Sequence, residues 1–319
     1  MPEKTDMPRV SIIILNWNRF TDTAECIESV LKIDYPNYEI VVVDNGSSDD
    51  SVQKIHDRFE HILLIENNNN LGYAEGNNVG IRHALKNGAE YVWVLNNDTV
   101  VDPHALTAMM DLAEKNQEIG ILGSKIYYFD QPKTLWFAGA TIDWKRAFSP
   151  HIGRLEIDTG QYEIDKEVDR VTGCSMLIRK RVLEDVGLFD ENYFLYAEEV
   201  DLCVRARNKG YRNYYVPKSV VYHKISISTG EDSAPVYGYY NTRNFLYLIK
   251  KNAPFPKREY YLFRTVWRIL LGGKGTIFRM TFPSLFQKDA VTLVDKAPLI
   301  GLHHFLTGRM GKGYFSQTL

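Results

Sequence analysis

The sequence predicts an α/β fold in which a mainly parallel sheet is covered by helices on both faces. Three observations carry this. Four short apolar runs rich in β-branched residues fall within the first hundred positions. Each is separated from the next by a connection of helix length, the pattern of strands joined by crossover helices. Two of the runs end in Asn or Asp and a third is followed at once by Asn-Asn-Asp, so parallel strands would gather polar groups along the edge where such sheets bind ligands.

VSIIILNWN (10–18) reads as the first strand, and helical spacing from Thr21 to Lys32 ends at the DYP of Asp34 to Pro36. EIVVVD (39–44) is the second strand, after which NGSSDDS (45–51) supplies a turn and a cap for a short helix ending near Phe59. HILLIE (61–66) is the third strand. A helix over about Ala74 to Lys86 leads to the fourth, YVWVL (91–95). Asp102 and Pro103 open a helix over roughly 103–116, before another apolar run at 119–129. The stretch through LWFAGATIDW and RAFSPHIGRLEIDTGQYEI mixes aromatics with turn residues and predicts hairpins or an excursion from the sheet. VTGCSMLIRK (171–180) reads as buried, AEEVDLCVRARNKG (197–210) as a helix closed by Gly210, and YRNYYVP and SVVYH as two strands, followed by a SISTGEDS loop (226–233).

The composition changes after that loop. Residues 1–240 hold 25 basic and 37 acidic side chains, whereas 241–319 hold 13 and 3. The expected organisation is a catalytic α/β domain over 1–240 and a basic, aromatic-rich helical extension over 241–319, with helices at Tyr239 to Lys251 and 258–273. An acidic body argues against a nucleic-acid partner, and a basic tail fits phosphate, an anionic membrane or the body itself. The second helix sets Tyr261, Phe263, Val266, Trp267, Leu270 and Leu271 among Arg258, Arg264 and Arg268, which suits either an interface-seeking helix or one packed on the main domain. Three cysteines without metal spacing argue against a disulfide scaffold or thiolate zinc site. With no signal-like N-terminal segment and no run of 18 apolar residues, the expected location is the cytoplasm, with peripheral contact at the cytoplasmic membrane face.

The strand ends carry the candidate chemistry. Asp44 can accept a hydrogen bond from a pyrimidine ring N–H or cap the next helix. The first strand-to-helix turn, LNWNRFTD, contains no glycine-rich phosphate cradle, which excludes a dinucleotide or Walker-type site. Asn96, Asn97 and Asp98 form either a turn or a divalent cation site, Asp98 offering a hard oxygen ligand and a diphosphate completing the shell. His223 can add a nitrogen ligand for a Mn²⁺-like ion, or be a satisfied core histidine. Glu198, Glu199 and Asp201 open a helix, where they either favour its dipole or supply a base; Arg205 is first the i,i+4 partner of Asp201.

The ordered set VSIIILNWNR, VVVDNGSSD, NNNNLGYAEGNNVGI, YVWVLNNDT, GCSMLIRK, GLFDENYFLYAEEVDLCVRARNKG and SVVYHKISIS closely resembles family 2 glycosyltransferases over about residues 9–250. The nearest subgroup is the rhamnosyltransferase-like enzymes of surface polysaccharides. The resemblance implies the GT-A fold and inverting transfer from a nucleotide diphosphate sugar, with a dTDP- or UDP-sugar donor and Mg²⁺ or Mn²⁺. It implies nucleotide contacts from Asn16, Asp44, Asn70, Gly72, Asn78, Asn96, Asn97 and Asp98, and metal ligation by Asp98 and His223. It also implies a small-residue turn at Gly173 and Cys174 and a catalytic base at Glu199, where the family usually has aspartate. Arg243 and Asn244 match a recurring pair of unassigned task. The implied acceptor is a surface or lipid-linked glycan, and oligomerisation through the extension is a competing use of that surface. The other readings are a sugar nucleotidylyltransferase, which needs a basic glycine-rich loop absent here, and an inactive carbohydrate-binding scaffold using Trp17, Trp93, Trp136 and Trp144 for packing or stacking.

Overall fold

The computed structural model describes residues 7–225, 235–274 and 292–314, so the expected 226–233 loop lies outside the described residues. The first strands and helices alternate as β1 (Val10–Asn16), α1 (Phe20–Val30), β2 (Tyr38–Asp44), α2 (Ser51–Arg58), β3 (Leu63–Glu66), α3 (Gly72–Lys86) and β4 (Tyr91–Asn96). They pair in the parallel order β3-β2-β1-β4. Val10, Ile12, Ile13 and Ile14 have no exposed surface, which a strand achieves only when both faces are covered. One covering helix comes unusually close. A Cβ on Gly76 would lie 2.8 Å from the Leu15 side chain and one on Gly80 would lie 2.6 Å from Ile13, so these two glycines, one turn apart, seat α3 on the sheet.

Beyond β4 the sheet is mixed. After β5 (Thr99–Val101), α4 (Ala105–Lys115), β6 (Ile119–Tyr128), β7 (Gln131–Phe137) and β8 (Lys166–Val168), β9 (Ser175–Arg179) runs antiparallel to both β4 and β6. Parallel pairing requires a crossover, and β9 arrives instead from the 129–170 excursion, in which β7 folds back on β6 and bridges join Thr134 to Ile157 and Ala140 to His151. After α5 (Lys180–Val186) and α6 (Glu198–Asn208), one long strand, β10 (Arg212–His223), replaces the two predicted. Pro217 does not end it because a register shift between Val216 and Val220 absorbs the Pro-Lys-Ser step in the pairing with β6.

The chain divides into two compact units. The first, Met1–Thr141, Pro150–Asp190 and Glu199–Ile227, holds the sheet. The second comprises Ile142–Ser149, Glu191–Glu198 and Ser228–Leu319. The boundary expected at 240 falls inside α7 (Pro235–Asn252), because a helix responds to hydrogen bonding and packing, whereas the charge balance changes only after Tyr240. Within the second unit, α7 packs with α8 (Arg258–Gly272) and α9 (Leu293–Leu306). Phe194, Tyr239, Tyr240 and Ala297 form its buried centre, with Phe194 stacked on Tyr240 at 5.5 Å. No described helix is long and apolar enough to cross a membrane.

Candidate active site

Strand register alone aligns the first site residues. Asn16 pairs with Asp44, and its neighbour Leu15 pairs with Asn96, so the C-terminal ends of β2, β1 and β4 form one polar row. A hydrogen-bonded chain runs along it. Asn16 donates to Asp44 Oδ1 at 2.7 Å and accepts from Thr23 Oγ1 at 2.7 Å; Asn97 in turn donates to Thr23 Oγ1 at 2.9 Å. Asp44 is 2% exposed and also accepts from the backbone N–H and hydroxyl of Ser47 at 2.9 and 2.5 Å. Its carboxylate therefore orders the Asn45–Ser47 turn, and a carboxylate's four acceptor sites leave room for one more donor. Thr23 and Ser47 were not singled out from sequence; a hydroxyl in a helix or turn carries no signal until the register is known.

Asn45 is a second unanticipated hub. It donates to Asn70 Oδ1 and Gly72 O, both at 3.1 Å, and accepts from Asn67 Nδ2 at 3.2 Å and Leu71 N–H at 3.1 Å. Asn70 accepts from Gly72 N–H at 2.8 Å, and Gly72 opens α3 with φ of +79°. Gly46 is pressed against this segment: at φ +75°, a Cβ would meet the Asn69 backbone at 2.6 Å. Asn70 and Gly72 are thus brought beside Asp44. Asn78 is not. Its amide donates to Phe189 O at 2.9 Å and accepts from Phe189 N–H at 3.1 Å, and the residue is 3% exposed. Both ends of its amide bond Phe189, and Nδ2 also donates to Glu75 Oε2 at 3.1 Å, so Asn78 clamps α3 to the segment after α5.

The pairing of Asp98 with His223, 125 positions apart, is achieved by β10. His223 lies opposite Thr99 in the β10–β5 ladder, and its Nε2 is 3.1 Å from Asp98 Oδ1. Burial opposes the charged forms of both, yet each supports the other's charge: Cys174 and Asp98 hold the imidazole well above its ordinary range, and His223 and Arg19 hold the Asp98 carboxyl below its own. The arrangement fits a divalent ion. Two neighbouring ligands of an octahedral ion with bonds of about 2.1 Å stand about 3 Å apart. Among the described residues no cluster of three or more His, Cys, Asp or Glu occurs. Asp98 and His223 as the two protein ligands would leave places for diphosphate oxygens and water around a divalent ion. The Asn96 backbone carbonyl accepts from Thr99 Oγ1 at 2.7 Å and its N–H donates to Cys174 O at 3.0 Å, fixing the start of this turn to Gly173–Cys174. The small residue at 173 is required, since a Cβ there would lie 2.6 Å from the Tyr73 hydroxyl.

Of the acids opening α6, Glu199 keeps the most accessible carboxylate, its side chain 15% exposed against 4% for residue Glu198 and 0% for Asp201. Asp201 accepts from Arg205 Nε at 2.6 Å, as its spacing predicted, and Arg205 also donates to the carbonyls of Val186 and Leu188. Glu199 faces Arg170 at 3.4 Å. Burial, then Arg170, push His151 well below its ordinary range, disfavouring its charged form. Trp136 stands edge-on to both His151 and His223, with ring centroids 4.6 and 4.7 Å away. Glu199 thus pairs with Arg170, whose charge reaches His151, and a separate run of contacts, His151–Trp136–His223–Asp98, leads to the candidate metal pair. Arg170, His151 and Trp136 come from the irregular excursion and its end, where no periodicity marks a function. Trp93, by contrast, is fully buried and donates to Ser175 Oγ at 3.0 Å.

In the second unit, Arg243 and Asn244 are fully buried and work together. Arg243 donates to Asn244 Oδ1 at 2.9 Å and to Tyr193 O at 2.9 Å. Asn244 Nδ2 lies 2.9, 2.7 and 2.8 Å from the carbonyls of Tyr193, Leu195 and Tyr196. They hold a segment with φ of +64°, +69° and +73° at Phe194, Tyr196 and Ala197, a conformation that costs side-chain-bearing residues energy.

Comparison with known proteins places this arrangement. A low-salt glycan biosynthesis hexosyltransferase, Agl10, of Haloferax volcanii is 28% identical over 97% of this chain and 95% of its own. An N-acetylglucosaminyl-diphospho-decaprenol L-rhamnosyltransferase of Mycobacterium tuberculosis is 28% identical over 67% of this chain and 75% of its own. The solved mannosyltransferase PcManGT of Pyrobaculum calidifontis, in complex with GDP-Man and Mn²⁺, shares the fold with a TM-score of 0.57 at 17% identity, covering 97% of this chain and 90% of that one. The architecture is the GT-A fold, a central sheet flanked by helices with a helical C-terminal extension. The family model "Glycosyl transferase family 2" matches residues 11–187, more than half of the sequence, and the chain belongs to that family.

Proposed function

We propose that the chain is a metal-dependent inverting hexosyltransferase that moves a sugar, rhamnose first among the candidates, from a dTDP- or UDP-sugar to a hydroxyl of a surface or lipid-linked glycan. The observation that carries this reading is the continuous polar row from Asp44 through Asn16, Thr23 and Asn97 to the turn holding Asp98, with His223 brought to Asp98 from the far end of the chain. A row of this kind fits a nucleotide laid across the strand ends. Asp44, with one acceptor site to spare, would take the ring N–H of a pyrimidine; Asn70 and Gly72 would shape the nucleoside side; Asn96, Asn97 and Asp98 would face the diphosphate.

Asp98 and His223 would hold Mg²⁺ or Mn²⁺, which when bound neutralises the diphosphate and makes it a better leaving group. Arg19, whose charge reaches Asp98, adds positive potential on the same side. Glu199 would take the proton of the acceptor hydroxyl as that oxygen bonds to the anomeric carbon and the bond from carbon to diphosphate oxygen breaks, releasing the nucleoside diphosphate. Arg170 holds the Glu199 carboxylate in place without hiding it. One carboxylate suffices, because the diphosphate leaves without a protein acid.

The names of the relatives support rhamnose and a lipid-linked acceptor, while the GDP-Man in PcManGT belongs to a neighbour too distant to assign a base. A donor screen with matched metal tests the proposal: transfer from dTDP-rhamnose or a UDP-hexose is expected, and turnover from guanosine diphosphate sugars alone would overturn the pyrimidine assignment.

A further inference from the structure

Helix α8 carries an apolar stripe that the described structure leaves uncovered. Tyr260, Phe263, Trp267, Leu270 and Leu271 are each 37 to 68% exposed, and Thr265 is the one buried residue of the helix. At 100° per residue these five side chains fall within an arc of about 100°, roughly opposite Thr265. Phe263 and Trp267 are stacked, with ring centroids 6.2 Å apart and planes 13° from parallel, so the most exposed aromatic surface is a ready-made wedge. Along one margin, Lys257, Arg264 and Arg268 follow one another at helical spacing.

We infer that α8 lies flat on an anionic lipid bilayer, its stripe at the boundary between headgroups and acyl chains and its basic margin among the lipid phosphates. Charge decides among the occupants. A second copy of this chain laid antiparallel on the stripe would bring two rows of Lys257, Arg264 and Arg268 together, whereas an anionic surface neutralises them in any orientation. Burial, then Arg264, disfavour the charge of Arg268, and Asp143 supports it. Length excludes insertion across the bilayer: Arg258–Gly272 is 15 residues, fewer than the about 20 that a span requires. Long basic side chains beside exposed aromatics are the makeup of helices that rest in the interface. The inference is independent of which sugar the protein transfers.

The test uses the full chain in co-sedimentation with vesicles of equal parts phosphatidylcholine and phosphatidylglycerol, and with phosphatidylcholine alone. Wild type should pellet with the anionic vesicles and prefer them. The doubly substituted Phe263→Gln, Trp267→Gln chain should partition about tenfold more weakly, and Arg264→Gln, Arg268→Gln should lose about 10- to 30-fold on anionic vesicles while gaining nothing on neutral ones. Phe263 and Trp267 point away from the buried side, so an unchanged melting curve should accompany the loss in that variant. Lipids brominated near the headgroup should quench tryptophan fluorescence in wild type and not in Trp267→Phe. Wild-type binding that ignores lipid charge, or binding undiminished in Phe263→Gln, Trp267→Gln, would overturn the inference. So would a concentration-dependent dimer, lost in that same variant, in a protein that ignores vesicles.

Discussion

Each acid or amide in this site is distinguished by what its oxygens and nitrogens already hold. Glu199 touches one arginine and keeps access to solvent; Asp201 is buried against Arg205. Glu199→Gln should therefore lower turnover about 100-fold or more with donor affinity nearly intact, as expected for loss of a general base. Asp201→Asn should instead lower stability, by about 3 kcal/mol in chemical denaturation, because it breaks a buried ion pair whose arginine also secures the carbonyls after α5. Wild-type turnover by Glu199→Gln, measured where chemistry limits the rate, would reject the base assignment. Asn78 gives the complementary contrast. Removing its amide in Asn78→Ala leaves the N–H and C=O of Phe189 buried and unpaired, so about 2 to 4 kcal/mol of stability should disappear while the donor Kd of the folded protein stays within about twofold. A large rise in Kd with unchanged stability would return Asn78 to the nucleotide site.

At the scale of elements, legibility followed periodicity. The alternation of β1 to β4 with α1 to α3 was readable because fully covered strands are continuous apolar runs and α3 repeats its pattern with a helical period. The Asn16, Asp44 and Asp98 positions followed directly, since strand ends are where polar residues interrupt those runs. What escaped is set by distant partners. The antiparallel course of β9, the continuity of β10 through Pro217, and the setting of Trp136 between His151 and His223 depend on ladders and ring contacts between segments with no local signature. The task of Arg243 and Asn244 was likewise invisible, because what they hold is a left-handed backbone segment some fifty positions earlier. Asn244→Ala should cost about 2 to 4 kcal/mol in denaturant, as the Leu195 and Tyr196 carbonyls lose their donor and Tyr193 O keeps only Arg243. Asn244→Asp should do no better, since a carboxylate accepts where donors are needed. Stability within 0.5 kcal/mol, roughly that of an ordinary surface change, would show that the segment holds its shape unaided.

For the whole molecule, the site depends on long-range assembly. Asn16 with Asp44, and Asp98 with His223, meet only when the sheet is complete, so binding of a metal and a donor there would be coupled to folding: ligands that bind the folded form alone raise its melting temperature. A nucleoside diphosphate with Mn²⁺ should stabilise wild type more than either alone, and Asp98→Ala should remove that synergy while leaving the sheet intact. The most direct test of the central claim is the initial rate of sugar transfer across a donor panel, with and without a chelator, for wild type and Asp98→Ala. Transfer from a dTDP- or UDP-sugar is expected that chelation abolishes, that Mg²⁺ or Mn²⁺ restores, and that Asp98→Ala lacks at every metal concentration. Transfer that survives chelation, with Asp98→Ala as active as wild type in saturating donor, would contradict it.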